Sequence, residues 1–165
     1  EQPGDQEDVQ GRPFVGPAGR LLDRAMAEAG IERDEVYLTN AVKHFKFTQA
    51  GKRRLHAKPT APEVKHYRPW LDKELALLRP KVVVALGATA VLALTGKNLP
   101  ITRARGPAYF GDAFQGYVTV HPSYLLRLRD EPDKAEAYAA FVEDLRRIKE
   151  MARKGVPARR PAAAE

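Results

Sequence analysis

The feature that most constrains the fold is a short apolar run at residues 81–86, with three consecutive valines at its centre. Strands that are buried on both faces of a sheet read as continuous apolar runs of this kind. The run leads through Gly87 into a second apolar stretch, residues 88–94, which is long enough for a short helix. This order of strand, turn and helix predicts a parallel sheet whose faces are covered by helices.

Two further short runs, residues 36–40 and 117–120, are rich in β-branched and aromatic side chains and are interpreted as strands. Helical periodicity marks three longer segments, which are residues 17–29, 60–78 and 133–152. Strands that alternate with helices indicate an α/β fold. We therefore predict a three-layer sandwich with a central, mainly parallel sheet.

We expect a single domain over residues 1–153, followed by a disordered basic tail at residues 154–165. The polar stretch that begins at Glu1 is rich in glycine and proline and is typical of a loop after a strand, so the first strand is expected upstream of it. Residues 43–58 have no steady period, and we interpret them as a long functional loop.

The composition limits the classes of partner and of site. Lys and Arg number 28 against 21 Asp and Glu, for a formal net charge of +7 at pH 7. This balance favours a polyanion such as nucleic acid, unless the excess in the tail is simply solvated. The chain has no cysteine, which excludes disulfides and thiolate metal sites. No apolar run reaches the roughly 18 residues of a membrane span, so we expect a soluble protein of a bacterial-type cytoplasm, located with the nucleoid.

An acidic segment opens the chain, with carboxylates at Glu1, Asp5, Glu7 and Asp8. Carboxylates at the end of a strand bind a metal, orient a water or a histidine, or stabilise a developing positive charge. A solvated turn explains the same residues equally well.

Polar side chains follow two of the predicted strands, Asn40 in one case and His121-Pro122-Ser123 in the other. The carboxyl ends of parallel strands share one edge of a sheet, where ligands bind in α/β folds. The segment between these strands contains the basic run Lys52-Arg53-Arg54-Leu55-His56. From the residues alone, Asn40 fits a turn, His121 fits a helix cap, and the basic run fits a plain nucleic-acid contact with an incidental histidine.

Several segments together resemble the uracil-DNA glycosylase superfamily, in its iron–sulphur, family-four-like branch. Residues 1–16 are similar to the first signature of the superfamily, and residues 121–123 to the second. Residues 40–47 and 52–56 are similar to the UdgX subgroup. The resemblance extends to about the final helix and implies the excision of uracil from single-stranded DNA.

The resemblance also implies a role for each matching residue. Phe14 matches the ring on which the extruded base stacks, and Asn40 matches the reader of the uracil edge. His121 matches the histidine that contacts uracil O2, where negative charge gathers as the base departs. His56 matches the histidine that bonds to the anomeric carbon in a single turnover, with Glu1 as the carboxylate that orients it. The other implied positions are catalytic Asp5 and Asp8, substrate-binding Gln2 and Gly4, and DNA-binding Lys52, Arg53, Arg54, Ser123 and Arg127.

Relatives in this branch carry a [4Fe-4S] cluster held largely by cysteines, and His44 and Tyr67 lie where ligands are expected. Because these irons prefer thiolates, we expect neither a cluster nor another metal in this chain. The implied partner is uracil-containing single-stranded DNA, bound by a monomer without membrane contact. Two alternatives remain, a turnover glycosylase that uses water in place of His56 and a non-catalytic DNA-binding module.

Overall fold

The computed structural model describes residues 1–111 and 114–155, and no helix within them is long and apolar enough to cross a membrane. The helices are α1 (Asp5–Gln10), α2 (Pro17–Glu28), α3 (Ala61–Leu78), α4 (Ala88–Thr95), α5 (Ile101–Ala104), α6 (Pro122–Arg127) and α7 (Glu131–Lys154). The strands are β1 (Phe47–Ala50), β2 (Arg53–His56), β3 (Val83–Leu86), β4 (Gly106–Phe110) and β5 (Phe114–Thr119). A short 3₁₀ helix at Arg33–Glu35 follows α2.

The central sheet has the order β3-β5-β4, with β3 parallel and β4 antiparallel to β5. Tyr117 of β5 packs with residues of α2 and α7, while the next residue, Val118, packs with residues of α3 and α4. Successive strand residues point to opposite faces, so helices cover both faces of the sheet. The predicted three-layer α/β fold is confirmed. Within the described residues, however, the sheet is mixed, with one parallel and one antiparallel pairing.

Strand β4 was not predicted, because its first residues, Gly106 and Pro107, are typical of a loop. A proline fits here because β4 lies at the edge of the three-stranded sheet, where a missing N–H breaks no ladder. The ring of Phe110 lies across β5 at Gly116, where an added Cβ would be 2.3 Å from that ring. Glycine at this position therefore makes room for the Phe110 ring, and β5 begins at Phe114, earlier than the predicted residue 117.

Residues 36–40 form no strand, contrary to the prediction. A strand is defined by its ladder, and in the described part of the chain no backbone hydrogen bond involves these residues. Val36 and Leu38 pack against the core instead. The apolar pattern that indicated a strand is thus explained by packing alone.

Residues 43–58, interpreted as a loop, contain an antiparallel hairpin of β1 and β2. Ala50 pairs with Arg53 across a two-residue turn, in which Gly51 has a φ of 60° that glycine adopts without strain. The acidic segment at the start of the chain is also more regular than the predicted turn. It forms α1, whose first turn places Asp5, Glu7 and Asp8 at the favourable end of the helix dipole.

Helix α7 ends at Lys154, and Gly155 closes it in the left-handed conformation. The helix thus includes a residue that the sequence analysis assigned to the tail. The rest of the predicted tail, residues 156–165, lies outside the described residues.

Candidate active site

The carboxyl ends of β3 and β5 lie side by side because the two strands are parallel neighbours. Gly87 follows β3, and its N–H donates to the carbonyl of Thr119 at 3.0 Å. A Cβ on Gly87 would lie 2.9 Å from the Cβ of His121, so glycine permits this close approach. The strand ends border a cavity of about 490 Å³ whose lining includes Gly87, His121 and Glu1.

His121 caps α6, and its Nδ1 accepts the backbone N–H of Ser123 at 3.2 Å. Burial lowers the pKa of His121 to about 4 and outweighs the opposing effect of the Glu1 carboxylate, whose Oε2 lies 3.2 Å from Nδ1. The imidazole is therefore neutral near pH 7. Because Nδ1 is the acceptor, the single ring proton is assigned to Nε2, which remains a hydrogen-bond donor.

Phe14 packs beside His121, with 5.9 Å between the ring centroids. Its φ of 55° lies in the left-handed region, which bulky residues rarely adopt. Gly19 on α2 allows this conformation, since a Cβ there would lie 2.0 Å from the carbonyl oxygen of Phe14. Backbone strain of this kind concentrates at functional sites. A buried flat ring beside a neutral donor suits a planar heterocycle.

Asn40 is a buried polar residue, 9% exposed, next to buried Ala41 and Val42. Its segment is tied to the start of the chain, because the N–H of Val42 donates to the carbonyl of Glu1 at 3.0 Å. Among the described residues, the Asn40 amide has no hydrogen-bond partner. Its oxygen and NH₂ group therefore remain available to a ligand that carries both a donor and an acceptor.

His56 and Arg54 lie on the same face of β2, because alternate strand residues point the same way. The ring of Phe45 lies 5.2 Å from the Arg54 guanidinium and 6.2 Å from the His56 ring. Glu1, which was expected to orient His56, contacts His121.

Gln2, predicted to bind substrate, uses its side chain to hold the hairpin. Its Nε2 donates to the carbonyls of Lys46 and Ala57 at 3.0 and 3.2 Å. Its Oε1 accepts the N–H of Lys46 at 3.2 Å. These backbone groups lie at the two ends of the hairpin, so the amide fixes β1 and β2 relative to the start of the chain.

Asp5 and Asp8, predicted to be catalytic, both bind Arg54, which was predicted to contact DNA. Nε and Nη1 of Arg54 donate to Asp5 Oδ1 and Asp8 Oδ2, each at 2.7 Å. The two carboxylates raise the pKa of Arg54 through hydrogen bonds and charge. The three side chains join α1 to β2, while Lys52 and Arg53 are exposed near the tip of the hairpin.

The remaining predicted residues lie around the same loops. Gly4 is the N-cap of α1 and lies against Glu7, whose carboxylate accepts the N–H groups of Val15 and Gly16. Arg127 donates to the hydroxyl of Ser123 at 3.0 Å and lines the cavity. Sequence reasoning missed Glu7 as a brace for the Phe14 loop, because its partners are backbone groups.

Sequence reasoning also missed several residues that line the cavity, which are Lys58, Thr89, Thr102, Arg105 and Tyr124. Lys58 belongs to the basic stretch that the sequence singled out, so its charge was a usable signal. Arg105 follows the single-turn helix α5, and no local pattern marks it.

His44 and Tyr67, which lie where cluster ligands were expected, contact each other. Nδ1 of His44 lies 2.6 Å from the Tyr67 hydroxyl. The described residues contain no group of three or more histidines, cysteines, aspartates or glutamates that could hold a metal ion. Iron–sulphur clusters need thiolate ligands, and the chain has no cysteine, so the donor set of this chain does not fit such a cluster.

Comparison with known proteins gives a consistent family assignment. The family model described as the Uracil DNA glycosylase superfamily matches residues 1–146. The Type-4 uracil-DNA glycosylase of Thermotoga maritima is 38% identical over 156 residues, which cover 93% of this chain and 76% of that protein. The Type-4 uracil-DNA glycosylase of Archaeoglobus fulgidus is 31% identical over 165 residues, which cover 95% of this chain and 76% of that protein. The Type-4 uracil-DNA glycosylase of Sulfurisphaera tokodaii is 35% identical over 129 residues, which cover 75% of this chain and 56% of that protein. Since the family model spans most of the chain, this protein belongs to the uracil-DNA glycosylase superfamily.

Proposed function

We propose that this chain excises uracil from single-stranded DNA and then bonds covalently to the abasic sugar through His56. The observation that carries the excision step is the placement of His121, whose Nδ1 accepts the Ser123 N–H and whose ring lies beside that of Phe14; burial lowers its pKa to about 4, so that Nε2 carries the single proton near pH 7. An extruded uracil stacks on Phe14. The free amide of Asn40 supplies a donor for uracil O4 and an acceptor for N3–H.

Cleavage moves the electron pair of the glycosidic bond onto uracil N1, and the negative charge spreads to O2. A hydrogen bond from His121 Nε2–H to O2 stabilises this charge as it develops, in the manner of an oxyanion hole. Positive charge remains on the anomeric carbon of the sugar. The carboxylate of Glu1, which lies against His121, provides a favourable electrostatic environment for that charge.

The second step is attack by the neutral ring of His56. Its unprotonated nitrogen donates a lone pair to the anomeric carbon and forms a C–N bond, and the resulting imidazolium releases its remaining N–H proton to solvent. Two sets of contacts hold the hairpin that carries His56. The amide of Gln2 binds the backbone at both ends of the hairpin, and Arg54, on the same face of β2 as His56, forms ion pairs with Asp5 and Asp8. A nucleophile with a fixed position competes well with water.

A turnover glycosylase, in which water attacks in place of His56, is the second candidate. The relatives are named Type-4 uracil-DNA glycosylases, and this candidate needs no step beyond the glycosylase activity in that name. We also propose that the protein acts as a monomer in the cytoplasm, where it meets the DNA. Light scattering tests the monomeric state by measuring the mass of the protein in solution.

The deciding experiment mixes the protein with a labelled single strand that contains one uracil, boils the mixture in detergent and separates it on a denaturing gel. A uracil-dependent shifted band is expected, together with free uracil. Alkali cleavage at the uracil without a shifted band would identify the turnover enzyme. Intact DNA would identify a non-catalytic DNA-binding module.

The nucleophile is identified with two histidine variants. His56→Ala is expected to abolish the shifted band while DNA binding persists. His66→Ala is the matched control, because His66 is also exposed but lies on α3 rather than on the hairpin. An adduct that survives in His56→Ala would show that another residue attacks the sugar.

A further inference from the structure

A buried carboxylate that the proposed reaction does not use contacts one residue of the cavity lining. Asp144, on α7, is 4% exposed. Its Oδ1 accepts the hydroxyl of Tyr117 at 2.9 Å, and its Oδ2 accepts the hydroxyl of Thr119 at 2.5 Å. Both donors lie on β5, and Thr119 precedes His121 by two residues. Asp144 therefore ties α7 to the strand that leads to His121.

Asp144 also holds Arg105, the residue that follows α5. Nε and Nη2 of Arg105 lie 2.8 and 2.7 Å from Oδ2 of Asp144. A guanidinium has five N–H donors, and in the described residues no partner uses those on Nη1. The side chain is 34% exposed, and Arg105 lines the same cavity as His121. One edge of the guanidinium is thus fixed, and the other edge is available to a ligand.

The lining of the cavity is cationic. Among the described residues, it includes Lys58, Arg105 and Arg127 and one acidic residue, Glu1, which already contacts His121. Asp144 is buried but the Arg105 side chain is 34% exposed, so solvent screens the attraction and the pair is a weak source of stability by itself. An anion that enters the cavity gains from Lys58 and Arg127, and from the Nη1 edge of Arg105, which Asp144 leaves unpaired.

We propose that Arg105 binds a phosphate of the DNA strand in this cavity and that Asp144 is the positioning residue that orients its guanidinium. The inference rests on the proposed function, because the anion is the phosphodiester next to the nucleotide whose base reaches His121. The planar guanidinium can donate two parallel N–H hydrogen bonds to the oxygens of one phosphate. The ammonium group of a lysine cannot form this pair of bonds. Because Asp144 already orders the side chain, less entropy is lost on binding.

The test measures affinity for a single strand without uracil as a function of salt concentration. For single strands, each lost phosphate contact reduces the slope of log affinity against log salt by about 0.7. Arg105→Gln is expected to show that reduction, and Arg105→Lys is expected to retain the slope. Arg103→Gln is the matched control, because Arg103 is exposed, two residues away and outside the cavity lining, and its slope should not change.

The positioning role is tested with Asp144→Asn. This variant is expected to weaken DNA binding about fivefold, the cost of ordering one arginine side chain. In the Arg105→Gln background it should have no further effect, because Asp144 acts through Arg105. A purely structural Asp144 would weaken binding equally in both backgrounds. The double variant removes both partners of the ion pair and so leaves no unpaired carboxylate at position 144; it remains measurable if Arg105→Gln alone fails to fold.

An unchanged salt slope in folded Arg105→Gln overturns the proposal, as does an equal change in Arg103→Gln. Release of free uracil by the unsubstituted protein tests the proposed function separately. An Arg105-dependent slope without uracil release would support the phosphate contact and reject the glycosylase.

Discussion

Replacement of Gln2 by leucine is expected to loosen the hairpin of β1 and β2 without unfolding the protein. The Gln2 amide makes three hydrogen bonds, at 3.0, 3.2 and 3.2 Å, to the backbone of Lys46 and Ala57. Each neutral hydrogen bond contributes about 1 kcal/mol net, so the loss of all three destabilises the closed hairpin by about 3 kcal/mol. Since 1.36 kcal/mol corresponds to a factor of ten, the open hairpin becomes roughly 100-fold more populated.

Hydrogen exchange measured by mass spectrometry reports this opening directly. Peptides from residues 45–58 are expected to exchange about 100-fold faster, while peptides from β5 keep their protection, because local opening leaves the core intact. Formation of the adduct should slow in parallel, since His56 is the last residue of β2. Uracil release, which in the proposed reaction depends on His121, should fall less.

Gln49→Leu is the matched control on the same hairpin. Gln49 is exposed on β1, and its amide donates only to the carbonyl of Gly51 within the turn, at 2.6 Å. Gln2→Glu is a second probe, because a carboxylate keeps the size and the acceptor but cannot donate to the two carbonyls. If Gln2→Leu leaves exchange at residues 45–58 within twofold of the unsubstituted protein, the amide does not hold the hairpin and the reasoning is refuted.

Three further predictions concern residues of the site. The pKa of His121 is about 4 in the folded protein, against an ordinary value of 6.5. Between pH 4 and 6.5, the imidazole of His121 is therefore protonated in the unfolded chain but neutral in the folded protein. The free energy of unfolding in urea should therefore fall from pH 6.5 towards 4, and His121→Gln should flatten that fall. Gly19→Ala places a methyl group 2.0 Å from the Phe14 carbonyl and should lower the melting temperature by more than about 4 °C. Asn40→Ala should slow uracil release about tenfold or more without changing affinity for uracil-free DNA; an equal loss of both would indicate misfolding.

The elements that the sequence predicted well are those whose signal is local. The predicted strand at residues 81–86 and the predicted helix at residues 88–94 correspond to β3 and α4. A buried strand followed by glycine can be identified from its own apolar residues, without knowing which strand it pairs with. Helices α2, α3 and α7 were predicted because one face of each is apolar at helical spacing. Phe14, Asn40 and His121 were identified through their resemblance to a family rather than through their residue types.

The errors arise where the structure depends on distant partners. Residues 36–40 have the composition of a strand but lack a ladder within the described part of the chain, whereas β4 has loop-like residues and finds its ladder on β5. The contacts of Gln2 and Asp144 were missed for the same reason. Gln2 lies 44 residues from its partner Lys46, and Asp144 lies 39 residues from its partner Arg105. No local spacing in the sequence reveals contacts over such separations.

The three consecutive basic residues at 52–54 are equivalent in the sequence but not in the structure. Arg53 and Arg54 point to opposite faces of β2, because strand residues alternate. Arg54 is neutralised by the two aspartates of α1, whereas Lys52 and Arg53 are exposed. A phosphate near the hairpin is therefore attracted mainly by Lys52 and Arg53. In the proposed reaction, Arg54 acts instead by fixing the strand that carries His56, so DNA affinity and adduct formation depend on neighbouring arginines for different physical reasons.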